Sequence, residues 1–128
     1  MVKTHLKIDE RYSGEVVKVE DGFAEVLLST SEEMLADERG LIHGGFTFSA
    51  ADFAAMVAVN EPTVVLVAAN VRFLAPIKLG DSALFRAKVV QQEGRKSLVE
   101  VSGFVGEQEV FKGEFQTYTP KSHILDRK

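Results

Sequence analysis

The sequence predicts an α+β fold in which an antiparallel sheet wraps one long central α-helix. Three observations predict it. Strand-like runs near the C-terminus alternate with a period of two, one proline-free alanine-rich stretch is long enough for four turns, and the order is strand, strand, helix, then four strands.

The first two strands are expected at residues 14–20 and 23–29. They flank Asp21-Gly22, a dipeptide suited to a tight hairpin because both residues tolerate positive φ. The helix is expected at residues 45–60, where alanine is abundant and proline absent. Phe46, Ala50, Phe53 and Val57 form one apolar stripe, while Phe48, Ala51, Ala55, Met56 and Val59 make the opposite side apolar as well. A helix apolar all round is buried.

Residues 63–75 form a β-branched run closed by Pro76 and by a turn at Gly80-Asp81. Apolar on both faces at its start, it is expected as a central strand. Strands at 82–92 and 96–105 follow, joined through Glu93-Gly94-Arg95, and a last one at 109–119. Val99, Val101, Gly103 and Val105 oppose Glu100 and Ser102, just as Phe111, Gly113 and Phe115 oppose Lys112, Glu114 and Gln116. That period marks an antiparallel sheet with one buried and one wet face, and only the helix is available to cover the buried one.

A chain of 128 residues, 45 % apolar and 27 % charged, has the size and balance of one soluble domain, expected to span 1–128. Fifteen basic against nineteen acidic residues leave a net charge of −4, and no block of like charge appears. Nucleic-acid binding is therefore disfavoured, since phosphate contacts need a concentrated basic surface. The absence of cysteine excludes disulfides, thiolate-held metals and thiol nucleophiles. The N-terminus has no apolar run of signal-peptide length, and nothing later approaches the roughly 18 apolar residues a membrane span requires. No membrane partner is expected, and a cytoplasmic location is.

Asp52 is the one charged side chain between His43 and Asn60. Burying an unpaired carboxylate costs several kcal/mol, so it needs a partner or a task. Two readings are open: an exposed or ion-paired carboxylate, with Arg72 or Arg86 as partner, or a general base or nucleophile whose pKa is raised by desolvation. His43-Gly44-Gly45 stands directly before the helix, where first-turn N–H groups lack intrahelical acceptors and the macrodipole favours negative charge. Glycines there let a substrate carbonyl approach the backbone and have its developing oxyanion stabilised. A bare Gly-Gly is also an ordinary loop. Asp52 lies about two turns into the helix, roughly 10 Å from its start, too far to serve a carbonyl held at its own Gly44. A second copy of the chain is expected to supply it.

At this point the residues resemble a known family. The segment from Gly40 through His43-Gly44-Gly45 to Asp52 resembles the signature of hotdog thioesterases of the phenylacetyl-CoA type. Val71-Arg72-Phe73-Leu74-Ala75-Pro76 and Gly80-Asp81 resemble that family's next strand and turn. The resemblance implies a hotdog fold and hydrolysis of acyl-CoA to free acid and coenzyme A. Gly44 would polarise the carbonyl through its N–H, His43 would help shape the site, and Asp52 of a partner subunit would attack the carbonyl or activate water. Gly45, Phe48 and Met56 would line the substrate site. The resemblance also implies a homodimer or homotetramer, with no metal and no cofactor beyond the coenzyme A of the substrate.

The family often has an asparagine six residues before the histidine, where this chain has Asp37. A carboxylate only accepts hydrogen bonds, so positioning of substrate or water would change and activity would weaken or vanish. The stretch from Val99 to Gly113 resembles instead the effector domain of malonyl-CoA-responsive repressors of lipid synthesis, which binds acyl-CoA without hydrolysing it. A non-catalytic acyl-CoA-binding protein is thus the alternative. The proline-marked loop of acyl-carrier-protein dehydratases does not precede His43, and a triad on Ser49 lacks an identifiable partner. His5 and His123 are expected in solvent, and Lys78, Arg86, Arg95 and Lys96 are scattered bases available to coenzyme A phosphates.

Overall fold

The computed structural model describes residues 1–126, so the end of the expected 1–128 domain lies outside the described residues. A short helix α1 (Glu10–Ser13) precedes β1 (Glu15–Glu20) and β2 (Phe23–Ser29). The long helix α2 (Gly44–Val59) follows, and then β3 (Val65–Phe73), β4 (Ser82–Glu93), β5 (Lys96–Val105) and β6 (Gln108–Tyr118). The strands form one antiparallel sheet in the order β1-β2-β4-β5-β6-β3. Every expected element is present, with ends displaced by one or two residues.

Local chemistry explains most of the boundaries. Gly22 takes φ 74° between β1 and β2, and Glu20 pairs with Phe23 across the turn. Helix α1, which sequence periodicity does not reveal, begins at Asp9, whose side chain accepts the Arg11 N–H at 3.0 Å. Helix α2 stops at Asn60 in the left-handed conformation, with its N–H on the Met56 carbonyl. The Asn60 amide also bonds Lys3 and Met1 of the N-terminal segment.

The core lies between α2 and the inner face of the sheet. Ala50, Ala51, Ala54, Ala55, Met56, Val57 and Ala58 are enclosed, as are Val26 and Leu28 of β2, Phe85 of β4, Val99 and Val101 of β5, and Phe111 and Phe115 of β6. Small side chains let the helix approach closely while the phenylalanines supply bulk. The expected alternation holds through Gly103, with Val99, Val101 and Gly103 inward and buried and Glu100 outward and exposed, and a bulge between Gly103 and Phe104 interrupts it before Val105. Gly103 is required by its neighbours, because a Cβ there would stand 2.6 Å from the Phe85 ring and 3.1 Å from the Phe111 Cβ. Gly103→Ala is therefore expected to cost about 2 kcal/mol through overpacking, measurable as a lower midpoint in urea unfolding.

One expectation is corrected. The strand at 63–75 is not central: β3 is the last strand of the sheet and pairs only with β6. Four successive residues, Val67, Ala68, Ala69 and Asn70, are exposed. Its apolar composition mimics a central strand because both its faces and its free edge are left uncovered in the single chain. Helix α2 lies mainly across β2, β4 and β5 and only lightly on β6 and β3.

Candidate active site

The site is built from the loop that leads into α2. Leu35 and Ile42 form a bridge, the Ala36 N–H reaches the Leu41 carbonyl at 2.8 Å, and the His43 N–H reaches the Met34 carbonyl at 2.9 Å. The Ile42 N–H bonds Ile77 at 2.9 Å, which ties the loop to the segment after β3. Asp37 clips the loop from within, its Oδ1 accepting the N–H groups of Arg39 at 2.9 Å and Leu41 at 3.1 Å. An asparagine Oδ1 would accept the same two bonds. Asp37 thus sets the approach of the chain to His43, a role the sequence did not show.

His43 stands at the N-cap in extended conformation with no side-chain capping bond. Its ring folds over Gly45, where a Cβ would meet Nε2 at 2.9 Å, and meets Phe46 edge-on at 6.1 Å between centroids. Gly45 is thus the position that lets the imidazole lie across the first turn. The Phe46 N–H turns back to the His43 carbonyl at 3.1 Å, whereas the N–H groups of Gly44 and Gly45, opening the helix, have no intrahelical acceptor. The Phe73 ring lies beside Gly44, 3.5 Å from where a Cβ would stand, and is itself 53 % exposed. Sequence reasoning did not single out Phe73; its place at the end of β3, on the helix-facing side, was the available signal.

Asp52 lies on the same stripe of α2 as Gly45, Phe48 and Ala55. Its Oδ1 is buried without a hydrogen-bond partner, and burial pushes its pKa up from the ordinary 3.8 to about 6. The ion-pair reading is not realised with Arg86, whose Nε instead holds Glu25 at 2.9 Å; no salt bridge to Asp52 occurs among the described residues. A raised carboxyl pKa favours the protonated native state. Stability present below pH 4 is lost as the pH rises through about 6, by about 3 kcal/mol for a shift of this size. Asp52→Asn is expected to stabilise the chain by about that amount at pH 8 and by little at pH 4, which urea titrations of both proteins at both pH values check.

The other expected site residues divide. Phe48, on the stripe that carries Asp52, is half-buried and tilts against Phe115 at 5.6 Å. Met56 is wholly enclosed in the core and reaches no open surface of the chain. Ser49 is engaged structurally, its hydroxyl 2.7 Å from that of Ser13. His5, expected in solvent, is half-buried, with Nδ1 2.7 Å from the Thr4 hydroxyl, and burial lowers its pKa. Of the bases, Arg95 bonds the Thr119 carbonyl, and Lys78 alone adjoins the site loop, pairing with Leu41. The described residues hold no cluster of three metal-ligating His, Asp or Glu side chains. No described helix is long and apolar enough to cross a membrane. A groove of about 540 Å³, lined by Val67, Gln91, Leu98 and Tyr118 among others, includes neither Gly44 nor Asp52.

Comparison with known proteins places this arrangement. The sequence pattern of the thioesterase superfamily matches residues 39–112. A methylthioribose-1-phosphate isomerase of Aquifex aeolicus is 55 % identical over 116 residues, 91 % of this chain but 25 % of that protein. The transcription factor FapR of Bacillus velezensis is 32 % identical over 91 % of this chain and 63 % of its own length. The chain thus spans a quarter and under two thirds of these relatives. An uncharacterised protein of Pyrococcus horikoshii has the same structure, with a TM-score of 0.97 and 46 % identity over 98 % of this chain and 97 % of that one. The hotdog fold extends to the E. coli PaaI protein of the phenylacetic acid degradation operon, at 23 % identity over 88 % of this chain and 83 % of that one, with a TM-score of 0.80. It extends also to a hypothetical thioesterase of Streptococcus pneumoniae solved with coenzyme A, at 22 % identity over 85 % of this chain and 87 % of that one, with a TM-score of 0.76.

Proposed function

Because the chain belongs to the thioesterase superfamily, matched over more than half its length, we propose that it hydrolyses an acyl-CoA thioester to the free acid and coenzyme A. The observation that carries this is the buried, unpartnered Oδ1 of Asp52, with a carboxyl pKa near 6, on a helix that opens with Gly44 and Gly45. A carboxylate poised there is ionised at neutral pH and basic enough to take a proton from water or to attack a carbonyl. The Gly44 N–H stabilises the oxyanion, helped by the helix dipole. His43 shapes the mouth of the site and Phe48 its apolar side. The hydrolysis calls on the chain's own groups and water.

The site needs a second copy. Along α2, Asp52 lies eight positions after Gly44, roughly 12 Å at 1.5 Å per residue, so one subunit's Asp52 serves the carbonyl held by its partner. The free edge of β3, with Val67 58 % and Phe73 53 % exposed, is nine residues long and mostly apolar, a template for pairing with another strand. A homodimer, alone or doubled into a tetramer, covers that edge and completes two sites. A fold neighbour solved with coenzyme A supports an acyl-CoA ligand. The isomerase name carries nothing to this chain, which corresponds to a quarter of that protein.

Release of free thiol from a panel of short, long and aryl acyl-CoAs tests the proposal. Turnover that depends on Asp52 is expected on at least one of them, and its absence on all would refute hydrolysis. The resemblance of the stretch from Val99 to Gly113 to an acyl-CoA-binding repressor domain, alongside the similarity to a transcription factor along 91 % of the chain, favours a second reading, acyl-CoA binding without hydrolysis. Calorimetry that finds no acyl-CoA binding eliminates both.

A further inference from the structure

The inner face of β3 is open beside the site. Side chains of a strand alternate between faces, and the pairing of β3 with β6 is regular from Ala68 onward, past a bulge at Val67, so the exposure of Ala68, Ala69 and Asn70 in a row means that the helix-facing side is uncovered at Ala69. Ala69 is the residue on that side: it pairs with Phe115, which is inward and fully buried. The same face carries Val71 opposite Gly113 and Phe73 opposite Phe111. The close approach of Val71 to Gly113, 2.7 Å from where a Cβ would stand, confirms the shared side.

This face is continuous with the candidate carbonyl position. Phe73 lies beside Gly44 and meets Phe111 at 5.5 Å between centroids. Phe111 meets Phe115 at 6.3 Å, and Phe115 meets Phe48 at 5.6 Å. The open inner face of β3 is therefore backed by an uncharged, aromatic wall that runs from Gly44 to the stripe of α2 that bears Asp52, with Phe111 and Phe115 enclosed behind it. Its one small side chain is Ala69, four residues from Phe73 along β3, roughly 13 Å. Alanine is a poor strand former, and the edge pairing alone does not require it at this inward position.

We propose that Ala69 sets the acyl length this protein accepts: the acyl chain leaves the carbonyl at Gly44, follows the inner face of β3, and passes over Ala69 when long enough to reach it. The assignment rests on the acyl-CoA reading above but not on catalysis. A larger side chain at residue 69 closes the far end of this face and leaves the carbonyl end untouched, so short acyl groups are indifferent to it and long ones are excluded.

The test is calorimetric binding of non-hydrolysable thioether analogues of acetyl-, hexanoyl- and dodecanoyl-CoA to wild type, Ala69→Leu and Ala69→Val, with thiol release from the matching thioesters in parallel. Dodecanoyl binding is expected to weaken about ten-fold or more in Ala69→Leu, less in Ala69→Val, and acetyl binding by less than about two-fold. Equal loss for all three lengths, no loss for any, or a change of assembly mass by light scattering overturns the proposal, the last because Ala69 would then be holding the subunits together. Length-dependent binding without turnover upholds it while refuting hydrolysis, and absence of binding by wild type refutes both.

Discussion

Asp52→Asn is expected to lower kcat by about a thousand-fold, the scale of a lost general base, while binding of an acyl-CoA thioether stays within a few-fold. The substitution keeps size and shape but removes the group that accepts the proton. Its pH dependence separates this from a structural effect. For wild type, kcat/KM should rise with pH through a midpoint set by the Asp52 carboxyl, pushed up to about 6 by burial, because the ionised form is the active one. The residual rate of the variant should lose that rising limb. A variant as active as wild type, or a limb that survives in it, would exclude Asp52 from the chemistry. The same substitution is expected to stabilise the fold at pH 8, so inactivation accompanied by unfolding would contradict the burial argument as well.

Mixing two inactive variants is expected to restore activity. Asp52→Asn retains Gly44, and Gly44→Val, whose added bulk crowds the Phe73 ring and the carbonyl position, retains Asp52. If each site combines Gly44 of one subunit with Asp52 of the other, a mixed dimer has one intact site. Random co-assembly makes about half the dimers mixed, so roughly a quarter of wild-type turnover returns in the mixture and about half in the isolated mixed dimers. Against parents that are nearly inactive, this is a gain of a hundred-fold or so. The proteins are co-expressed with different tags and the doubly tagged assembly is isolated. Turnover no higher than that of either parent would place both groups of a site within one chain, against the distance along α2.

Much of this architecture is legible from local pattern. The two-residue alternation of Val99, Val101 and Gly103 survives as the inward face of β5, and the all-apolar helix is enclosed, because periodicity and burial are properties of single elements. Asp52 also stands out locally, as one charge on an otherwise apolar helix. Its unpaired state does not, since pairing depends on where Arg86 falls on the sheet, and β4 carries that side chain to Glu25.

The sequence by itself determined the six strands and the long helix, their order, the hairpin at Asp21-Gly22 and most of the candidate site residues. Only the tertiary structure decided that β3 is an edge, that Asp37 clips the loop before His43, that Met56 is enclosed while Phe48 lies at the margin, and that Phe73 borders Gly44. The physical reason is the same for each. An apolar strand reads alike whether neighbours cover it or a second chain awaits it, and which surfaces stay open follows from long-range strand pairing and from how much of the sheet one helix can cover.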